Sequence, residues 1–95
     1  MNETLSGEVR QWAMVSDEAV ENIIRQLLKQ PGVQYLREVS KVLDKDPDYL
    51  QFHSASVSMK VNEILSRMGS QAVVSDRNVA PILREAIIRL RSFER

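Results

Sequence analysis

The stretch Asp46-Pro47-Asp48-Tyr49-Leu50-Gln51-Phe52-His53-Ser54-Ala55-Ser56-Val57-Ser58-Met59-Lys60-Val61 decides the fold class of this chain. Asp46, Pro47 and Asp48 form a helix-start signal: an acid that can cap, a proline suited to the first helical position, and a second acid at the positive end of the helix dipole. The residues after Asp48 have two readings. On a helical wheel Leu50, Val57, Val61, Ile64, Leu65 and Met68 form one stripe, while Phe52, Ala55 and Met59 fall nearly opposite. A helix apolar on two sides suits a central element or one facing a second chain. As a strand, His53, Ala55, Val57, Met59 and Val61 alternate with Ser54, Ser56, Ser58 and Lys60 at a period of two. Serine and valine are mediocre helix formers. The helix start and the longer stripe favour a helix, with a break near Ser54–Ser58 as its weakest point.

Outward from this segment the punctuation is sparse: Pro31-Gly32, Gly69 and Pro81 divide the rest into helix-sized pieces. Ser16 reads as an N-cap followed by Asp17 and Glu18, opening a helix to about Gln30. Its apolar face is Val20, Ile23, Ile24, Leu27 and Leu28. Tyr35, Leu36, Val39, Val42 and Leu43 predict a second helix over 33–43. Gly69 reads as a helix C-cap and residues 71–74 as an extended connector. Ser75 or Asn78 then caps a last helix to about Glu94, with Val79, Ile82, Leu83, Ala86, Ile87, Leu90 and Phe93 as a broad apolar stripe. Residues 3–14 add a further helix, with Val9, Trp12 and Met14 as its apolar content. The fold class is therefore all-α: a bundle of four to five short helices, one domain over residues 1–95.

Composition narrows the function classes. Thirteen basic and thirteen acidic residues cancel, which argues against bulk attraction to nucleic acid or an acidic membrane. The absence of cysteine excludes disulfides, thiolate zinc sites, iron–sulfur clusters and cysteine nucleophiles within the chain. There is no run long and apolar enough for a membrane span and no signal-peptide pattern, so a cytoplasmic location is expected. His53 is the one histidine. It lies among serines, but no constellation around it indicates a catalytic triad. Asp44, Asp46 and Asp48 alternate like the start of an EF-hand loop, yet the glycine and the bidentate glutamate that such a loop needs fall at Tyr49 and Ala55. The glycines, at 7, 32 and 69, form no phosphate loop. The expectation is a non-enzymatic protein with no cofactor, no metal and no small-molecule substrate.

The segment from Leu36 to Leu50 resembles the helix-turn-helix of the Cro/lambda-repressor-like DNA-binding family. Ser40 falls at the small residue of the first helix, Asp44 at the turn position, and Pro47 and Leu50 at the start and anchor of the recognition helix. The resemblance covers residues 36–50 and implies a DNA-binding regulator using about residues 36–53. The chain departs from the pattern at three points. Asp44 stands where the family has glycine. Asp46 and Asp48 put negative charge where phosphates would approach. Gln51, His53 and Ser54 offer no arginine or lysine to the backbone. A strand over 52–61 would turn the resemblance toward a winged helix.

The leading expectation is instead a protein–protein interaction module: a small adaptor, regulatory subunit or assembly factor. The last helix and the two-sided helix carry more apolar surface than a 95-residue monomer covers easily. A homodimer is therefore expected, with Phe52, Met59, Ile87, Leu90 and Phe93 at its interface. For another protein, the expected binding residues are Trp12 and a patch in which Ile88 projects away from the apolar stripe, ringed by Arg84, Arg91 and Arg95.

Overall fold

The run from Ser54 to Val61 is helical. The computed structural model describes residues 16–94 and has, among them, five helices and no strand: α1 (Asp17–Leu27), α2 (Gly32–Lys45), α3 (Tyr49–Phe52), α4 (Ser54–Arg67) and α5 (Val79–Phe93). No helix among the described residues is long and apolar enough to cross a membrane. The helix expected over 3–14, with Trp12, lies outside the described residues, as does Arg95.

Residues 54–61 can be helical despite their alternation because a period of two contains a period of four. Val57 and Val61 are four apart and share the face that is buried. Ala55 and Met59, also four apart, share the opposite, exposed face. Two of the serines are satisfied inside the helix, each bonding back to the turn before it. Ser56 Oγ donates to the His53 carbonyl at 3.3 Å. Buried Ser58 lies 2.9 Å from the Ala55 carbonyl and 2.8 Å from Asp76 Oδ1, its one proton shared between the two acceptors.

The long helix expected from Pro47 is interrupted. It starts at Tyr49, without a side-chain cap, runs one turn, and restarts at Ser54. The bend is at His53 (φ −123°, ψ 28°), whose ring lies against that of Tyr49 with centroids 4.7 Å apart. Hydrogen bonding continues through it, from the His53 N–H to the Tyr49 carbonyl at 2.9 Å and from the Val57 N–H to the His53 carbonyl at 3.0 Å. Leu50 and Val57, on either side of the bend, are both buried in the core.

α5 is the element on which the others pack, most extensively α1 and α2, then α4. Its stripe of Val79, Ile82, Leu83, Ala86, Ile87 and Leu90 is buried against Ile23, Ile24 and Leu27 of α1, Leu36 and Val39 of α2, Leu50 of α3, and Val57, Val61, Ile64 and Leu65 of α4. This corrects part of the expected dimer interface. Ile87 and Leu90 are buried in the chain's own core, so they are not presented to a second copy. Phe93, at the end of the same stripe, is exposed.

The connections are set by polar groups and two glycines. Ser16 caps α1, its Oγ accepting from the Ala19 N–H at 3.1 Å. The connector before α5 is held by Asn62, which treats Val74 as a neighbouring strand would: Asn62 Nδ2 donates to the Val74 carbonyl at 2.9 Å, and the Val74 N–H donates to Asn62 Oδ1 at 2.7 Å. Ser75 and Asn78 bond reciprocally. The Asn78 side chain accepts from the Ser75 N–H at 2.8 Å, and Ser75 Oγ accepts from the Asn78 N–H at 3.3 Å. The pair closes the turn that leads into α5, whose N-cap position, Asn78, makes no side-chain cap bond of the kind expected.

Gly69 closes α4 in a left-handed conformation (φ 78°), with the Ser70 N–H reaching the Leu65 carbonyl and the Gly69 N–H the Ser66 carbonyl, each at 3.0 Å. Gly32 acts by a different cause. A Cβ there would stand 2.6 Å from the Leu27 carbonyl oxygen, where α1 hands over to α2.

The two glycines are therefore expected to respond differently to substitution. Gly69→Ala should cost about 1–2 kcal/mol from backbone strain alone, and Gly69→Asn less, since asparagine tolerates that conformation. Gly32→Ala should cost about 1–3 kcal/mol by overpacking, and Gly32→Asn more. Chemical denaturation of the four variants checks this; an asparagine tolerated equally well at both sites would contradict it.

Candidate interaction surfaces

Three surface features stand out once the core is assigned. The first is the outer face of α3 and α4. Phe52 is 73% and Met59 72% exposed, with exposed Ala55 between them in sequence. Both large side chains are ones the sequence places opposite the core stripe. With Phe93, also 72% exposed, they are the three members of the expected dimer interface that remain at the surface.

The second is a groove of about 290 Å³ between α2 and α5, lined by Leu43, Asp44, Pro47, Arg84, Ile87, Ile88 and Arg91. Ile88 is 62% exposed, as its place off the stripe predicts. The structure brings Arg84 and Arg91 to the same groove as Ile88. It also gives Arg91 a task that periodicity could not reveal: Nη2 donates to Asp44 Oδ1 at 3.0 Å, and Nε donates to Ser40 Oγ at 3.0 Å. Arg91 therefore holds α5 against α2 and forms one wall of the groove. The wall facing it, Leu43 and Pro47, was also not legible as part of this site, because it lies some forty residues away in sequence.

The third is a cleft of about 320 Å³ between α1 and α5, lined by Asp17, Val20, Glu21, Ile24, Asn78, Pro81, Ile82, Glu85 and Arg89. Arg89 spans it, donating from Nη2 to Glu21 Oε1 at 3.0 Å and from Nε to Glu85 Oε2 at 3.1 Å. The hydrogen bond from Arg89 holds the Glu21 carboxyl below its ordinary value against partial desolvation, with the charges of Arg89 and Arg25 adding to the effect.

The segment that resembles a helix-turn-helix has different geometry from what the resemblance implies. Ser40, at the small-residue position, is an acceptor for Arg91, and Asp44, at the turn position, is paired with the same arginine. The expected recognition helix is the single turn Tyr49–Phe52. Several arginines that could meet phosphates are already paired with acids: Arg25 and Arg89 with Glu21, Arg37 with Glu94, Arg67 with Glu63, and Arg91 with Asp44. His53 has the Tyr49 ring as its neighbour. Among the described residues no group of three or more His, Cys, Asp or Glu side chains is placed to hold a metal ion.

No known protein-family model matches this chain, and neither characterised proteins nor solved structures give a match to it.

The Glu21–Arg89 pair gives the α1–α5 contact a pH dependence. Because the folded-state pKa of Glu21 is lowered, its contribution is fully present above the ordinary carboxylate range and is lost as pH falls through the lowered value. Thermal unfolding followed from neutral to acid pH should show a shallower acid limb in Glu21→Gln than in the unaltered chain. Parallel limbs would contradict this.

Proposed function

We propose that this chain is a non-enzymatic protein–protein interaction module that acts as a helical homodimer. The observation that carries the reading is the outer face of α3 and α4. Phe52 and Met59 stand largely in water, on a face the chain's own core does not need. Exposed side chains of this size in one place are characteristic of surfaces that are covered by a partner. The small side chains between them, Ala55 and Ser56, would let two such helices approach closely about a twofold axis, each copy presenting the same patch to the other. Phe93 supplies a further apolar side chain at the end of α5.

A different protein would then dock on the α2–α5 groove. Ile88 is an apolar anchor at its edge, and Arg84 and Arg91 form a polar rim. In this division the module pairs with itself through one face and presents the other to an adaptor target or regulated protein. The pairing of most arginines within the chain supports a protein partner over nucleic acid, because paired guanidinium groups are less free to neutralise phosphates.

Equilibrium sedimentation at micromolar concentration is expected to give a dimer for the unaltered chain. Met59→Glu should be monomeric with unchanged helical circular dichroism. A monomer for the unaltered chain would contradict the reading. In a mobility-shift titration with duplex DNA, no salt-dependent shift is expected; a shift that weakens with salt would instead favour a helix-turn-helix regulator.

A further inference from the structure

The cleft between α1 and α5 is a furrow with two helical walls. On α1 its lining falls at Asp17, Val20, Glu21 and Ile24, and on α5 at Pro81, Ile82, Glu85 and Arg89, each set at the three- and four-residue spacing of one helix face. The furrow therefore runs along the helices, for about 10 Å on α1 and about 12 Å on α5, or about two helical turns. Val20, Ile24, Pro81 and Ile82 make its floor apolar, and none of its lining belongs to the α3–α4 face or to the α2–α5 groove. We propose that this furrow is a second docking site, whose occupant is a basic amphipathic helix of a partner protein, with apolar side chains on the floor and lysines or arginines against Asp17 and Glu85.

Charge selects the occupant. The lining carries three acids, Asp17 and Glu21 on one wall and Glu85 on the other, and among the described residues Arg89 is the one cation in it. Arg89 serves both Glu21 and Glu85. Arg25, 3.9 Å from Glu21 and outside the lining, makes Glu21 the best neutralised of the three. Among the described residues Asp17 has no cation paired with it, and Glu85 shares its one guanidinium. The least compensated acids therefore stand on opposite walls, with the apolar floor between them. A segment with cations flanking an apolar seam complements this pattern, whereas an acidic segment or nucleic acid would meet like charge.

Shape selects a helix. Beyond their first turns both walls have their backbone groups bonded within their own helices, so the furrow offers no row of donors and acceptors to an extended segment. A helix brings its own backbone bonds and seats side chains at i, i+3 or i+4, and i+7, which fits a furrow two turns long. The furrow holds about 320 Å³, room for side chains and not for a whole helix, so the partner lies along it with only its apolar seam inserted.

The test uses three synthetic peptides on the isotope-labelled full chain: an amphipathic leucine–lysine helix, its leucine–glutamate counterpart, and a leucine–lysine peptide of scrambled order. Fluorescence anisotropy reads the affinity and amide shifts locate the site. The leucine–lysine helix is expected to bind, to weaken with salt, and to move the amides of Val20, Glu21, Glu85 and Arg89. Asp17→Asn should weaken it about twofold to fivefold, and Glu85→Lys about tenfold or more. Both substitutions fall at exposed positions, so helical circular dichroism should be unchanged. Met59→Glu and Ile88→Glu should leave the affinity unaltered, which keeps this site separate from the proposed dimer face and from the α2–α5 groove. The proposal is overturned if the leucine–lysine helix does not bind, if either of the other peptides binds equally well, or if neither Asp17→Asn nor Glu85→Lys lowers the affinity. Shifts confined to another surface would also overturn it. So would the same amides moving when the chain alone is concentrated, which would seat a second copy in the furrow.

Discussion

Burial of one face of α5 is the interaction on which the rest of the structure depends. Val79, Leu83 and Ala86 are wholly inaccessible, and α1, α2 and α4 are arranged around the stripe they belong to. Fully burying a valine or leucine side chain contributes about 1.5–3 kcal/mol, more than any surface ion pair here supplies. The polar contacts of α5 then fix its neighbours in place. Arg89 reaches α1 through Glu21, while Arg91 and Glu94 reach α2 through Asp44 and Arg37. Both grooves are consequences of this arrangement. A helix that contacts two others leaves a furrow along each, and the arginines that hold the helices together line those furrows.

α4 shows how little separates a half-buried helix from a strand at the level of pattern. Its alternation of small polar and apolar residues satisfies both readings until tertiary contacts choose. Two contacts choose the helix. Val57 and Ser58, adjacent in sequence, are both buried, which a one-sided strand does not allow. Asn62, one turn after Ser58, clamps the connector at Val74. Among the described residues no buried side-chain polar atom lacks a partner, so a serine-rich helix carries no desolvation penalty there.

Elements whose cause is local were legible in the sequence. Ser16 and its following acids, the Gly69 stop, the α1 stripe and the α5 stripe all appear with about their expected bounds. Features whose cause is distant were not. Nothing near Ile87 or Leu90 distinguishes a residue buried by its own chain from one buried by a second copy; only the placement of the neighbouring helices does. The partners of Arg91 and Arg89 lie 47 and 68 residues away, beyond any periodicity argument. His53, where the helix bends, carries no glycine or proline signal, although a break close by, near Ser54–Ser58, was expected. Phe52, Met59 and Ile88 are exposed as off-stripe residues, because position relative to a stripe is a local property.

The two faces of α4 differ: one is committed to the core, and the other, with Ala55 and Met59, is exposed. Because the chain contains no cysteine, single thiols can be placed at Ala55, Val57 and Met59 and their labelling rates compared. A helix predicts fast labelling of Ala55→Cys and Met59→Cys with Val57→Cys protected until unfolding; the proposed self-association predicts in addition that the two fast positions slow as concentration rises. Similar rates at all three positions would place them on one face of a strand and contradict the two-faced helix.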